Sequence, residues 1–249
     1  MHEIDNEHFY NEVGKVIGWD FSNVKCQSEG IEWDFYEEVT KRCKSSDILL
    51  DIGTGGGENI LKIATFFFLI VGIDLSSEMV EKARINRQNT DVKNVRFFQM
   101  SSQGLQFPTD FFDIISCCHA PFAPNEIAKV LKKEGVFLTQ QVSEGDKINL
   151  KRAFGRGQAF QEKDGMLKEK YVQELRKAGF SNVQSFEYDA TEYYQEPEDL
   201  LFLLTHTPII PNFGEGKEDF KILHRFMENN QTEKGIRTNS KRFMIMAEK

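Results

Sequence analysis

The sequence predicts an α/β fold built around a mostly parallel sheet. From residue 48 onward, short apolar runs alternate with segments that have helical periodicity. A buried parallel strand has a continuous apolar run, whereas a helix repeats its apolar residues every three or four positions. A glycine-rich turn also follows the first apolar run. The length of 249 residues suits one large domain of this class, because longer chains tend to divide into several domains.

Each element follows from its own local pattern. Five apolar runs predict parallel strands at residues 48–52, 67–74, 95–100, 112–118 and 135–142. Helices are predicted between them and after them, at residues 56–65, 77–88, 125–133 and 167–178. Gly135 and Gly179 follow the last two helices, where a helix end favours a left-handed residue. The alternation predicts a series of βαβ units.

The flanking segments complete the predicted domain. Two amphipathic stretches, 5–17 and 32–43, predict helices ahead of the sheet, and two strands, 183–194 and 240–247, are predicted to pair at its far side. Two helices, at 197–204 and 217–227, separate those strands. We therefore expect a single domain over 1–249, with covering helices (1–47), a cofactor-binding core (48–146), a flap (147–166) and a helical cap (195–235).

The charge of the chain limits its partners. The 31 basic and 39 acidic residues give a net charge of −8, which disfavours nucleic acid and anionic membranes as partners. Residues 147–177 have the opposite charge balance, with 9 basic and 4 acidic side chains. This stretch is either a solvated helix and loop or a mobile basic flap beside an active site.

Neither targeting nor metal-binding patterns are evident. The first residues have no basic and apolar leader pattern, and the longest apolar stretch, 66–73, is too short to span a bilayer, so we expect a cytoplasmic protein. The cysteines have spacings that match neither a zinc ribbon nor a redox pair, and we expect no disulfide and no metal site; they are Cys26, Cys43, Cys117 and Cys118.

The most informative segment is the turn after the first predicted strand, LLDIGTGGGE at residues 49–58. Several glycines at a strand-to-helix turn let a ligand contact the backbone. A dinucleotide fingerprint that starts at Gly53 needs glycine where the chain has Glu58, and no Gly-Lys-Ser/Thr follows to make a P-loop. Asp51 would repel a pyrophosphate but attract an ammonium group.

A second carboxylate ends the next predicted strand. Asp74 follows Asp51 by twenty-three residues and is placed to accept hydrogen bonds from two ribose hydroxyls. The structural alternative is that Asp74 only belongs to the N-terminal cap of the following helix.

These motifs and two others resemble the class I S-adenosylmethionine-dependent methyltransferases. The matching segments are LLDIGTGGGE, VGIDLSSEMVEKAR, FPTDFFDIISCCHAP and LKKEGVFL, which together cover about residues 48–142. The resemblance implies a Rossmann-like three-layer sandwich whose sheet has seven strands, the last antiparallel. It also implies that S-adenosylmethionine binds at the carboxyl ends of the strands. The implied cofactor-binding residues are Asp51, Gly53, Thr54, Gly55, Asp74, Leu75, Ser101, Ser102, Gln103 and Cys117.

The adenine-reading position departs from the family. The family usually has an aspartate after the third strand of the core, where this chain has Ser101, and a serine hydroxyl lacks the strength of a charge-assisted bond. After the fourth strand, His119 is the candidate general base, because an imidazole titrates near neutral pH. A packing role for His119 is the alternative.

The sequence therefore predicts a methyltransferase that acts on a small molecule. Aromatic clusters at 18–21 and 33–36 are candidates for a wall around cofactor and substrate, and His206, Tyr193 and Tyr194 lie in the segment expected to cover the substrate. A cap core in which the neighbouring leucines pack inward is the alternative for His206. For the whole chain, the alternatives are an RNA base methyltransferase that uses residues 147–177 and a non-catalytic protein that binds S-adenosylmethionine.

Overall fold

The computed structural model describes residues 24–249, so the predicted helix at 5–17 and the aromatic cluster at 18–21 lie outside the described residues. The strands are β1 (Cys26–Glu29), β2 (Ile48–Ile52), β3 (Leu69–Asp74), β4 (Val95–Gln99), β5 (Phe112–Cys118), β6 (Leu131–Val142), β7 (Ser181–Tyr194), β8 (Gln231–Thr232) and β9 (Gly235–Glu248). The helices are α1 (Phe35–Thr40), α2 (Glu58–Lys62), α3 (Ser77–Gln88), α4 (Pro124–Val130), α5 (Ile148–Phe154), α6 (Met166–Lys177), α7 (Pro197–His206) and α8 (Asp219–Asn230).

One mixed sheet has the order β1-β7-β9-β6-β5-β2-β3-β4, with β8 paired to β9. Strands β4, β3, β2, β5 and β6 are parallel, and β9 is antiparallel to both β6 and β7. The predicted α/β class and its antiparallel last strand are confirmed, whereas the sheet within residues 24–249 has nine strands instead of the seven predicted. Two short strands, β1 and β8, are additional. β1 is antiparallel to β7, and its sequence, Cys-Gln-Ser-Glu, has no apolar signal that could have predicted it.

Helices cover both faces of the sheet and make three layers. Leu49 and Leu50 are adjacent in β2 and both fully buried, one in each of two separate hydrophobic clusters. Residues of α4 and α6 pack on the Leu50 side, and residues of α1, α2 and α3 pack on the Leu49 side. This arrangement leaves the carboxyl ends of the parallel strands as one edge of the sheet.

A third hydrophobic cluster joins α5, α7 and α8. It contains Leu150, Leu200, Leu204, Leu223 and Phe226, together with Tyr194 at the end of β7. The predicted cap helices therefore pack against α5, within the basic stretch, and against the far end of the β7 and β9 hairpin.

Several helix boundaries differ from the predictions, and one of these differences also moves the start of a strand. The helix expected at 125–133 ends at Val130, because Leu131 already pairs with Phe112 and begins β6. Gly135 therefore lies inside a strand, and the left-handed residue there is Glu134. Gly179 does follow α6 with a φ of 95°, as predicted. None of the described helices combines the length and apolar character that a membrane span needs.

The basic stretch is only partly a solvated surface. Lys147 and Lys151 are both 2% exposed, and Lys147 Nζ lies 2.6 Å from Glu192 Oε2 on β7. A buried ammonium needs such a partner, since its desolvation is costly. The start of residues 147–177 is thus anchored to the sheet.

Candidate active site

A cavity of about 1220 Å³ opens over the carboxyl ends of β2, β3, β4 and β5. Nine of the residues predicted to form the site line it: Gly53, Thr54, Gly55, Asp74, Leu75, Ser101, Ser102, Gln103 and His119. Asp51 and Cys117 do not line it. The parallel strands bring together residues that are far apart in sequence, because their carboxyl ends meet at one edge.

The glycine turn between β2 and α2 forms the floor of the cavity. Gly53 and Gly55 have φ values of 71° and 55°, in the left-handed region that glycine adopts readily. A Cβ on Gly53 would lie 2.3 Å from the Cβ of Ala120. The backbone N–H groups of Gly53 and Thr54 donate to Ile73 O at 2.9 and 3.0 Å, which ties the turn to β3.

Asp51 lies fully buried next to this turn. Its Oδ1 accepts hydrogen bonds from Ser116 Oγ at 2.5 Å and from the Tyr36 hydroxyl at 3.3 Å. Its Oδ2 is buried and has no hydrogen-bond partner among the described residues. Burial raises the pKa of Asp51 to about 7, although the neighbouring hydroxyl groups of Ser116, Thr54 and Tyr36 lower it. The unpartnered oxygen is a place for a cationic donor such as an ammonium group.

Asp74 ends β3 on the cavity wall. Its two oxygens accept backbone hydrogen bonds from Ser76 and Gly55, both at 2.9 Å, and burial raises the pKa of the carboxyl group. A carboxylate oxygen has two lone pairs, so each can also accept a ribose hydroxyl. The cap alternative and the ligand role are compatible, because the side-chain cap of α3 is Ser76 Oγ, which accepts from Met79 N.

Ser101, Ser102 and Gln103 follow β4 and form the neighbouring part of the wall. The hydroxyl oxygen of Ser101 accepts a hydrogen bond from the backbone N–H of Gln103 at 3.2 Å. The sequence resemblance predicts that these polar groups and the backbone around them contact the adenine ring.

His119 directly follows β5 and has a left-handed conformation, with a φ of 55°. Its backbone N–H donates to Gln140 O at 2.8 Å, and its Nε2 lies 3.1 Å from Gln140 Nε2. His119 lines the cavity, and the protein packed around its ring disfavours the charged form and lowers the pKa of the imidazole below its usual value. The positive charge of Arg242 acts in the same direction. At neutral pH the imidazole is therefore uncharged, and it is a weaker base than the sequence led us to expect.

Cys117 is a correction to the predicted site. It lies in the core on the opposite face of β5, where its thiol donates to Ala120 O at 3.1 Å. Cys118 lines the cavity instead, because successive strand residues point to opposite faces. Burial raises the pKa of both thiols, so neither is a reactive thiolate. All four cysteines are free, and the described residues contain no group of three potential ligands that could hold a metal ion.

Part of the cavity wall is aromatic. Trp33, Phe35 and Tyr36 come from the segment around the start of α1, and Tyr188 comes from β7. The rings of Trp33 and Tyr188 have centroids 4.6 Å apart. The cluster at 33–36 was predicted as a wall, whereas Tyr188 has no local signal in the sequence. Gln140 was also missed, although its place near the carboxyl end of a parallel strand could have indicated it.

His206 and its neighbours are not part of the described cavity wall. His206 stacks on Phe202 with a centroid distance of 4.2 Å, and its Nδ1 lies 2.8 Å from Phe202 O. Tyr194 is buried in the third hydrophobic cluster. The alternative in which the leucines of α7 form a cap core fits the structure, since Leu200 and Leu204 are buried there.

Comparisons with known proteins agree with this geometry. Residues 43–195 match the family model of a methyltransferase domain. A stretch of 106 residues is 40% identical to the uncharacterized methyltransferase YcgJ of Bacillus subtilis, and it covers 40% of this chain but only 42% of that relative.

Two solved structures illustrate the shared fold. The crystal structure of YcgJ from Bacillus subtilis has a TM-score of 0.59 at 23% identity, over 86% of this chain and 97% of that chain. A SAM-dependent methyltransferase from Thiobacillus denitrificans, in complex with S-adenosyl-L-homocysteine, has a TM-score of 0.50 at 17% identity, over 85% and 89%. Because the family model spans more than half of the sequence, the chain belongs to the class I methyltransferase family.

Proposed function

We propose that the chain binds S-adenosylmethionine and transfers its methyl group by in-line displacement to a small-molecule acceptor. The proposal rests on one observation. The glycine turn, Asp74, residues 101–103 and the aromatic residues all line a single cavity. Its volume of about 1220 Å³ exceeds the 300–1,000 Å³ that is typical of a pocket for one ligand. The cavity is therefore large enough for the cofactor and a small acceptor together.

The residues at one end of the cavity suit the cofactor. Asp51 lies beside the glycine turn and does not itself line the cavity; its buried, unpartnered Oδ2 would receive a donor from the cofactor's ammonium group, directly or through water. Gly53 and Gly55 allow close approach of the methionine part, and Asp74 has lone pairs for the ribose. S-adenosylmethionine supplies an electrophilic methyl group on a sulfonium. A related fold that binds S-adenosyl-L-homocysteine supports the same cofactor here.

The charge of the cavity lining as a whole suits a neutral or cationic acceptor. The charged lining residues are four carboxylates against one lysine, namely Glu32, Asp34, Glu58, Asp74 and Lys62. A polyanion would be repelled by this balance. Aromatic rings attract cations, so Trp33, Tyr36 and Tyr188 also suit a sulfonium or a cationic acceptor.

The protein would contribute to catalysis mainly by positioning the methyl donor and the acceptor. Holding two reactants in line can supply about 7–11 kcal/mol of the barrier reduction. The glycine turn and Asp74 would fix the donor, while the aromatic wall and His119 would fix the acceptor. With a lowered pKa, His119 contributes a hydrogen bond more readily than proton abstraction.

Calorimetry with S-adenosylmethionine tests the cofactor, and the absence of binding at millimolar concentration would contradict the proposal. Methyl transfer is then measured with cofactor labelled with ¹³C in its methyl group. A small-molecule extract and ribosomal RNA are the two acceptor pools. Label in the small-molecule pool is expected. Label only in RNA would favour the RNA methyltransferase, and binding without transfer to either pool would favour the non-catalytic alternative.

A further inference from the structure

Three side chains form a continuous hydrogen-bonded chain along the cavity wall. Trp33 Nε1 lies 2.7 Å from Gln140 Oε1, and Gln140 Nε2 lies 3.1 Å from His119 Nε2. All three residues line the cavity. These hydrogen bonds link the segment before α1 to the ends of β5 and β6. The two strand ends are also joined by the backbone bond from His119 N to Gln140 O at 2.8 Å.

The indole at one end fixes the direction of every bond. An indole N–H only donates, so the atom of Gln140 that faces Trp33 must be the carbonyl oxygen. The amide nitrogen then faces His119, and an amide nitrogen also only donates. His119 Nε2 must therefore accept, which requires that it carries no proton.

A second contact agrees with this orientation of the amide. Gln140 Nε2 also lies 3.7 Å from Cys118 Sγ, so its two protons both have acceptors. Rotation of the amide by half a turn would set its protons against the N–H of Trp33. That arrangement would leave two donors facing each other at a partly buried position and would lose the bond from Trp33.

We infer that Trp33 and Gln140 hold His119 as a neutral imidazole whose proton is on Nδ1. His119 then presents an N–H donor to the cavity, whereas the nitrogen that could act as a base is already occupied by Gln140. Among residues 24–249, no residue makes a hydrogen bond to Nδ1. The lowered pKa of His119 agrees with an uncharged ring at neutral pH.

The consequence for the acceptor rests on the proposed function. An N–H donor binds an atom with a free lone pair, so the methyl acceptor places an oxygen or an unprotonated nitrogen against Nδ1. A protonated amine has only donors to offer and does not fit this contact. Gln140 and Trp33 are positioning residues, because they act through His119.

Nitrogen NMR of the full chain labelled with [¹⁵N]histidine tests the inference without any ligand. His119 is assigned by the signals that disappear in His119→Asn. At neutral pH its Nδ1 is expected at the frequency of a protonated ring nitrogen and its Nε2 at that of an unprotonated one. A proton on Nε2, or rapid exchange between the two tautomers, would overturn the inference.

Gln140→Glu provides the reciprocal test. A carboxylate still accepts from Trp33 but now also accepts from the ring, so the proton of His119 is expected to move to Nε2 or the ring to become charged. Gln184→Glu, an exposed residue of β7, adds the same charge elsewhere and is expected to leave His119 unchanged. An unchanged His119 in Gln140→Glu would contradict the inference.

If Gln140→Glu does not fold, Gln140→Met serves as the second variant. It removes the donor from Nε2, and we expect both tautomers to become populated. A single Nδ1-protonated form in Gln140→Met would show that Gln140 does not hold the tautomer. Because these spectra use the ligand-free chain, they are independent of the calorimetric test for S-adenosylmethionine, and either result can fail without the other.

Discussion

Ser116 Oγ lies 2.5 Å from Asp51 Oδ1, and this bond from the neighbouring strand holds a carboxyl group that has no cation beside it among the described residues. Burial dominates over the hydrogen bonds, so the pKa of Asp51 is raised to about 7. Because this pKa lies near neutral pH, an ammonium group that binds beside the carboxyl group would strongly change the fraction that is ionised. Both the stability of the protein and its affinity for the cofactor should therefore depend on the protonation of Asp51.

We expect Asp51 to make the ligand-free protein less stable as the pH rises. Below pH 4 the group is protonated in both folded and unfolded chains. Between about pH 4 and pH 7 the unfolded chain loses the proton while the folded chain keeps it, so the free energy of unfolding falls. Each pKa unit corresponds to about 1.4 kcal/mol, which makes the total a few kcal/mol.

The measurement is urea unfolding of the wild type and Asp51→Asn across this pH range. The stability of the variant relative to the wild type should increase from pH 4 to pH 7 and then level off. Asp91→Asn changes an exposed residue and serves as the control, with no such trend. A stability difference for Asp51→Asn that stays constant with pH would refute the assignment.

Cofactor binding should release a proton from Asp51. If the ammonium group of S-adenosylmethionine pairs with the free oxygen, it stabilises the carboxylate and lowers the raised pKa. Near pH 7 the binding heat should then depend on the ionisation enthalpy of the buffer, with a net release of protons. Asp51→Asn should bind more weakly and release fewer protons. Equal proton release in both proteins would place the ammonium group elsewhere.

Asp74→Ala should weaken the binding of S-adenosylmethionine at least tenfold, which corresponds to about 1.4 kcal/mol. The carboxylate is predicted to accept two ribose hydroxyls, and its removal also frees the N–H of Gly55 that it now binds. Asp74→Asn keeps the shape and should lose less affinity. Calorimetry measures both variants, with Asp91→Ala as the control. An unchanged affinity in Asp74→Ala would show that the ribose binds elsewhere.

Gly53→Ala should both destabilise the fold and reduce cofactor binding. The new Cβ would lie 2.3 Å from Ala120 Cβ, at a φ of 71° that disfavours any side chain. We expect a loss of roughly 2–4 kcal/mol in the free energy of unfolding. Gly104→Ala is a matched control, because a Cβ there meets no atom within 4 Å. Adding Ala120→Gly to Gly53→Ala should recover part of the loss, and no recovery would argue against the contact.

Much of the fold could be predicted because the deciding signals are local. The strands β2 and β5 are continuous apolar runs and coincide with their predicted bounds, and Ser76 caps α3 where the helix was expected to begin. The strand β1 could not be predicted in this way. Its residues are polar, and it is a strand because it pairs with β7, which is more than 150 residues away.

The same distinction between local and distant signals applies to the residues of the candidate site. Gly53, Asp74 and Ser101 follow predicted strands, and the edge of a parallel sheet brings such residues together. Choosing Cys118 over Cys117 requires the exact register of β5, because neighbouring residues point to opposite faces. Gln140 lies near the end of a predicted strand, which could have indicated it, but its bond to Trp33 and the ring contact between Tyr188 and Trp33 join distant segments. Local patterns carry no information about such contacts.

Replacing Ser101 by aspartate should increase the affinity for S-adenosylhomocysteine. A charged acceptor makes a stronger hydrogen bond to the adenine amino group than a hydroxyl does, and the difference is about 1 kcal/mol. Ser101→Asp should therefore bind S-adenosylhomocysteine roughly fivefold more tightly. Ser102→Asp places the same charge one residue along the same wall and should gain less. The analogue that carries a carbonyl in place of the adenine amino group should bind Ser101→Asp more weakly than it binds the wild type, because two acceptors then face each other. Equal binding of both ligands to Ser101→Asp would mean that adenine is read by other groups.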